Sequence, residues 1–184
     1  LNYDDVNHEI KMHQLIKSKN IYGIPKYRCH NNISEAIIVM DGIIGMTSDK
    51  YFKKNPDISK LKDILLSMKY IMKQLHYHDI YYVDWKPQNI IIDTKNKAWL
   101  VDLGISKTLS DYNTSHWWDD SWFGTLKFWG GGFMKIEESI ILNNKGMLSR
   151  DDVRTLAING DRIGLAKTIL SWIYDICHTH NINT

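Results

Sequence analysis

Two short apolar segments separated by a polar turn constrain this chain more than any other feature of its sequence. Residues 89–92 (Asn-Ile-Ile-Ile) and 98–101 (Ala-Trp-Leu-Val) have the length and β-branched content of strands, and residues 93–97 between them favour a turn. They predict an antiparallel hairpin. Asn89, where the first strand starts, and Asp102, just after the second, would then be neighbours at the same end.

The polar residues around this hairpin predict a site for phosphate chemistry. The amide oxygen of Asn89 and the carboxylate of Asp102 are hard ligands of the type that suits Mg²⁺. Gly104 permits a tight backbone bend after Asp102. Asp84 precedes Asn89 on a loop expected to face the same pocket, where it would orient a hydroxyl or accept its proton. Lys86 would neutralise a transferring phosphoryl group.

Composition excludes several other classes of function. A chain of 184 residues suits one domain or two small lobes, and its net charge of +2 predicts no nucleic-acid partner. The apolar runs are all shorter than the roughly 20 residues of a membrane span. Cys29 and Cys177 lie far apart, which predicts a reducing, intracellular compartment, cytoplasmic or nuclear. His76 and His78 fall on different faces of a predicted helix, so we expect them to be structural or surface residues.

Hydrophobic periodicity predicts a mixed α+β chain, with few strands early and mostly helices later. Short strands are predicted at 26–30 and 36–40. Helices are predicted at 4–18, at 49–54, from an N-cap at Ser59 to about His78, and from Asp161 to Cys177.

The run from Tyr82 to Asn89 resembles the protein-kinase catalytic loop H-R-D-L-x-x-x-N, and Asp102-Leu103-Gly104 resembles its D-F-G motif. Lys86-Pro87 resembles the protein-kinase form, because aminoglycoside-type kinases usually lack that lysine. The resemblance implies ATP- and Mg²⁺-dependent phosphoryl transfer to a Ser or Thr hydroxyl of a protein substrate. Asp84 and Lys86 would be catalytic, and Asn89 and Asp102 would hold the metal.

Weaker matches follow in the same order as in that family. The run 8–12 resembles the helix whose glutamate, here Glu9, pairs with the nucleotide-binding lysine, and Met40-Asp41-Gly42 falls at the hinge that holds adenine. Residues 124–128 resemble part of the activation segment. Asp161 resembles the aspartate of the central helix that braces the catalytic loop, and residues 151–156 are a rival for that position.

The resemblance implies an α+β, protein-kinase-like fold with a truncated N-lobe and a short, mostly helical C-lobe. Residues 1–42 would form the partial N-lobe, with a helix, two strands and the hinge. Residues 43–184 would form the C-lobe, with the catalytic loop, Asp-Leu-Gly, activation segment and central helix. Gly23-Ile24-Pro25 and the run 149–152 resemble the casein-kinase-one and vaccinia-related-kinase branch.

Three departures from the family pattern leave other functions open. The glycine-rich loop and the strand with the lysine do not precede Glu9, and the later C-lobe helices do not follow. Since the chain begins with Leu1, we expect it to be trimmed; the alternatives are that the missing strands come from elsewhere or that the chain does not need them. Tyr82 and Val83 replace the motif's His and Arg, so control through an activation-segment phosphate is not expected. The alternatives are a kinase-like binding module that mimics or regulates a partner kinase, and a small-molecule kinase.

Overall fold

The computed structural model describes residues 3–31, 37–112 and 148–179, and side chains from Val6 onward. The described residues form an α+β fold, which confirms the predicted class. The elements, in chain order, are α1 (Tyr3–Ser18), β1 (Tyr27–Asn31), β2 (Ile37–Met40), β3 (Gly45–Thr47), α2 (Ser48–Lys54), α3 (Ile58–Tyr77), β4 (Ile80–Tyr81), a 3₁₀ turn (Pro87–Asn89), β5 (Ile90–Asp93), β6 (Ala98–Leu100), β7 (Lys107–Thr108) and α4 (Arg150–Thr179).

The strands pair into small antiparallel sheets, ordered β1-β2, β3-β5-β6 and β4-β7. The β5–β6 register, with Ile90 opposite Leu100, confirms the predicted hairpin. Its turn is closed by Asp93, whose carboxylate accepts bonds from the backbone N–H groups of Lys95 and Lys97 at 2.8 and 2.9 Å. This is the local bonding that makes aspartate a turn residue.

Helix α3 begins slightly earlier than the sequence indicated. Its N-cap is Asp57, whose carboxylate accepts a bond from the Ser59 N–H at 2.9 Å, so the prediction of Ser59 as the cap was wrong. Ser59 instead supplies one of the backbone donors that a helix start leaves unpaired. One face of α3 is buried, as its apolar spacing predicted, through Leu61, Ile64, Met68, Ile71, Met72 and Leu75.

Helix α4 is much longer than the predicted helix, since it begins at Arg150 rather than Asp161. A capping box starts it: the Ser149 N–H donates to the Asp152 carboxylate at 2.9 Å, and the Asp152 N–H donates to the Ser149 hydroxyl at 3.2 Å. The first half of α4 packs Val153 and Leu156 into a cluster with Tyr81, Leu109 and Tyr112.

The second half of α4 enters the main core. Trp172 and Ile176 pack there with the buried faces of α1, α3 and the β5–β6 hairpin. Residues 113–147, which include the predicted activation-segment run 124–128, lie outside the described residues. Among the described helices, each is either too short or too polar to cross a membrane.

The pairing of β3 with β5 depends on a close backbone approach at Gly45. A Cβ atom at this position would lie 2.3 Å from the carbonyl oxygen of Ile92, whereas one at Gly42 would meet nothing within 4 Å. We expect Gly45→Ala to destabilise the fold by about 1–3 kcal/mol, because β3 must shift away from β5. Chemical denaturation measures this. Gly42→Ala is the matched control and should change stability by less than about 1 kcal/mol in either direction. Equal stabilities for the two variants would contradict the prediction.

Candidate active site

The Asp84 carboxylate gathers the polar side chains of the loop before β5. Asp84 and Asn89 are each 5% exposed. The Asn89 amide donates to Asp84 Oδ2 at 2.9 Å, and the Lys86 ammonium donates to the same oxygen at 2.5 Å. Lys86 keeps a quarter of its side chain exposed. The loop therefore holds a buried carboxylate whose charge is balanced by a lysine that still reaches solvent.

The hairpin brings Asn89 and Asp102 to its same end. Asn89 closes the 3₁₀ turn just before β5, and its carbonyl accepts a bond from the Val101 N–H at 3.0 Å. Asp102 follows Val101 with a positive φ of 64° and an exposed side chain. Since Asn89 uses its amide nitrogen for Asp84, its amide oxygen is the atom suited to a cation. The arrangement supplies two hard oxygen donors.

Tyr82 fixes the Asp-Leu-Gly segment on both sides. Its phenol donates to the carbonyl of Val101, just before Asp102, and its own carbonyl accepts from the Ser106 hydroxyl at 3.2 Å, just after Gly104. Burial is the largest cause that raises the pKa of Tyr82 far above its usual value, so the phenol keeps its proton and remains a donor. In the sequence, Tyr82 is only a departure from the motif histidine, because its role depends on contacts with Val101 and Ser106, which are distant in the chain.

Asp161 fixes the loop at Tyr82–Trp85 to α4. Its carboxylate is 1% exposed and accepts four hydrogen bonds. The donors are the Tyr82 N–H at 3.1 Å, the Val83 N–H at 2.8 Å, the Trp85 indole at 2.7 Å and His76 Nε2 at 2.8 Å. Asp161, not the exposed Asp151, is therefore the brace of the loop. His76 is structural, as predicted.

Helix α1 docks against the Asp-Leu-Gly segment through its polar face. His8 Nε2 bonds to the Ser106 carbonyl at 2.6 Å. A Cβ on Gly104 would lie 3.4 Å from Asp102 Oδ1 and 4.0 Å from Glu9 Oε2, so these two carboxylates flank one glycine. The interaction with His13 is the largest cause that lowers the pKa of Glu9, and burial opposes it. His13 Nε2 lies 3.7 Å from Glu9 Oε1, within range of an ion pair when the imidazole is protonated.

Met40 lies on the β1–β2 sheet, whereas the other predicted site residues lie on α1, on the loop and 3₁₀ turn before β5, and after β6. It ends β2 opposite Tyr27, and the following Asp41 N–H donates to the Lys26 carbonyl at 2.9 Å. The structure thus brings Asp84, Lys86, Asn89, Asp102 and Glu9 into one neighbourhood, and holds Met40 on the small β1–β2 sheet.

Comparison with known proteins agrees with this geometry. Residues 2–131 match the family described as protein kinase domain, which is well over half of the 184 residues. The chain belongs to the protein kinase domain family. Both runs that resemble kinase motifs, Tyr82–Asn89 and Asp102-Leu103-Gly104, lie inside the matched range.

Several curated relatives carry serine/threonine-protein kinase names. The chain is 30% identical over 97 residues to the probable serine/threonine-protein kinase PknB of Lactococcus lactis, covering 52% of this chain and 15% of that protein. It is 30% identical over 94 residues to the probable serine/threonine-protein kinase FPV226 of Fowlpox virus, covering 47% and 32%. It is 26% identical over 114 residues to serine/threonine-protein kinase 17A of Oryctolagus cuniculus, covering 58% and 28%. The chain spans about a third or less of these relatives' length.

These relatives leave the branch of the kinase family open. The predicted likeness to the casein-kinase-one and vaccinia-related-kinase branch stays a prediction. One run on which it rested has a local explanation, because Ser149 and Asp152 form the capping box of α4.

Because Asp161 accepts four bonds in a buried position, we expect Asp161→Asn to destabilise the fold by about 3–5 kcal/mol. In asparagine an NH₂ group replaces one of the two carboxylate oxygens, and this group cannot accept the hydrogen bonds that the oxygen accepts. The measurement is urea denaturation. Asp151→Asn, on the exposed side of the same helix, is the control and should cost no more than about 1 kcal/mol. Similar losses of unfolding free energy in both variants would contradict the role assigned to Asp161.

The lowered pKa of Glu9 predicts a pH dependence of stability. A depressed pKa means that the folded state favours the ionised carboxylate, so its stabilisation is present at neutral pH and is lost as pH falls through the glutamate range, around pH 4. We expect wild type to exceed Glu9→Gln in stability near pH 6 by up to about 1 kcal/mol, since Glu9 is partly exposed. The gap should close below about pH 3. Thermal melts across pH measure it, and a gap independent of pH would contradict the assignment.

Proposed function

We propose that this chain carries the site of a protein kinase that transfers the γ-phosphoryl group of ATP to a Ser or Thr hydroxyl, with Mg²⁺. The observation that carries the proposal is the environment of Asp84. Its buried carboxylate accepts hydrogen bonds from Lys86 and Asn89 on the same oxygen. It lies beside the end of the hairpin that Asp102 follows. The serine/threonine-protein kinase names of the relatives support the same class of substrate.

In this proposal Asp84 orients the acceptor hydroxyl and takes its proton. Its orientation is set by Lys86 and Asn89, and its loop is fixed to α4 through Asp161. Lys86 stabilises the negative charge of the transferring phosphoryl group, because its ammonium lies beside the carboxylate and reaches solvent. Transfer needs little covalent chemistry from the protein, so most of the catalysis consists of positioning and charge stabilisation.

The residues at the hairpin end fit Mg²⁺ in the way that a nucleotide-bound metal requires. The described residues contain no cluster of three or more His, Cys, Asp or Glu side chains that could hold a metal by themselves. Asn89 and Asp102 offer two hard oxygens, which suits an ion that takes its other ligands from phosphate and water. When bound, Mg²⁺ would neutralise phosphate charge at this site.

Two further residues complete the proposed nucleotide site. Glu9, held beside Gly104, would pair with a lysine from outside the described residues. Met40, at the end of β2, would border the adenine. We accordingly propose residues 1–42 as the partial N-lobe and 43–184 as the C-lobe, with the adenine hinge at their junction.

One observation favours the alternative function, a binding module that regulates a partner kinase. Ile37 and Val39 on β2 are 49% and 43% exposed, and β2 pairs only with β1 among the described strands. An open strand edge with apolar side chains can accept a further strand from another chain. Labelled ATP separates the two functions, since a module would form a stable complex without transferring label.

We expect Asp102→Ala to abolish phosphoryl transfer, a loss of at least about a hundredfold, because the metal loses its charged ligand. Transfer of radiolabel from ATP to a Ser/Thr peptide library measures this. The fold should persist, since Asp102 is exposed, and a thermal melt checks it. Asp63→Ala, at an exposed aspartate on α3, is the control and should transfer label like wild type. Unchanged transfer by Asp102→Ala would overturn the assignment.

A further inference from the structure

Trp85 directly follows Asp84 and is completely buried. Its indole N–H donates to Asp161 Oδ1 at 2.7 Å, the oxygen that also accepts the Val83 N–H. Its ring meets Tyr82 edge-on, with centroids 5.0 Å apart. One side chain therefore touches the brace of the loop and the tyrosine that fixes the Asp-Leu-Gly segment.

The surface of α4 is shaped to receive Trp85. A Cβ on Gly164 would lie 3.0 Å from Trp85 Cβ and 3.2 Å from Trp85 Cδ1, so a larger residue there would push the indole away. One turn further along α4, the buried Thr168 hydroxyl donates to the Trp85 carbonyl at 2.8 Å. Successive turns of α4 thus contact Trp85 through Asp161, Gly164 and Thr168.

A second anchor from the same helix holds the other side of Lys86. The Trp172 indole donates to the Ser48 hydroxyl at 2.9 Å, and Ser48 donates to the Pro87 carbonyl at 2.8 Å. Both side chains are buried. Lys86 therefore lies between two residues, Trp85 and Pro87, whose backbone carbonyls are tied to α4.

The backbone of the loop needs such anchors. Val83 has a positive φ of 69°, a strained backbone conformation for a β-branched residue. A conformation of this kind persists only where its surroundings enforce it. The Val83 N–H is held by Asp161, and Asp161 is held in turn by the Trp85 indole.

We propose that Trp85 is a positioning residue of the phosphotransfer site: its indole N–H orients Asp161, and Asp161 keeps the strained loop in the form that presents Asp84 and Lys86. The proposal rests on the proposed function for its effect on catalysis. Its effect on the loop is independent of that function.

The test compares Trp85→Phe with Trp99→Phe in the full 184-residue chain. Phenylalanine keeps the aromatic packing and removes only the N–H donor. Trp99 offers a matched control, because its indole also donates to a carboxylate, Asp93 Oδ2 at 3.0 Å, in the turn of the hairpin. Amide hydrogen exchange of Tyr82 and Val83 is followed together with kcat and KM for ATP.

For Trp85→Phe we expect the exchange rate of the Val83 amide to rise by roughly tenfold or more, which corresponds to the loss of one hydrogen bond to a charged group. The buried amides of α3 should keep their wild-type exchange rates. We expect kcat to fall by roughly tenfold with KM for ATP within about twofold. Trp99→Phe should leave all of these near wild type. Thr168→Val, which removes the bond to the Trp85 carbonyl, should act in the same direction as Trp85→Phe.

Two results would overturn the proposal. One is exchange at Tyr82 and Val83 that stays at wild-type rates in Trp85→Phe. The other is a uniform rise across α3 and the loop with kcat unchanged per folded molecule, which would make Trp85 an ordinary core residue. If wild type transfers no phosphate, the proposed function fails, while the exchange comparison still decides whether Trp85 positions the loop.

Discussion

The buried carboxylate of Asp161 is the constraint on which the rest of the site depends. A carboxylate that is 1% exposed is tolerated only if its charge is met by donors, and here the donors come from α3, the loop backbone and the Trp85 indole. The hydrogen bonds that the buried Asp161 carboxylate requires therefore hold these parts of the chain in one arrangement. The geometry of Asp84 is a consequence of that arrangement.

Tyr82 connects Asp161 to the end of the hairpin at which we propose metal binding. Its N–H is held by Asp161, while its phenol and carbonyl hold Val101 and Ser106 on either side of Asp102. The left-handed backbone of Asp102 lies between these two fixed points. A tyrosine suits this task because its hydroxyl reaches a backbone carbonyl across the core while its ring fills apolar space. Asp102 is thus placed by contacts that do not involve its own exposed side chain.

The parts that the sequence predicted are those set by local bonding. The β5–β6 hairpin follows from its strand-turn-strand pattern, and it places Asn89 and Asp102 without any long-range information. The helix was predicted from Asp161, directly after Asn159-Gly160, a dipeptide that favours turns and contains a glycine that disfavours a helix interior. Packing on both sides, by Val153 and Leu156 before and by Trp172 after, outweighs that local preference. The roles of Tyr82 and Trp85 depend on Asp161, far away in the chain, so periodicity and spacing carried no sign of them.

Contacts that are distant in sequence also keep Glu9 of α1 near the site, where His13 is its ion-pair partner among the described residues. His8 ties the helix to Ser106, and Glu9 lies beside Gly104, where His13 favours its ionised form. His13 is a weak partner, because its ring nitrogen is 3.7 Å away and carries a charge only when protonated. Glu9 is consequently held in place by the Asp-Leu-Gly segment while its carboxylate stays available to a stronger cation. In the proposed nucleotide site, a lysine that reached Glu9 would meet a helix that is already positioned, so little of its binding energy would be lost in ordering α1.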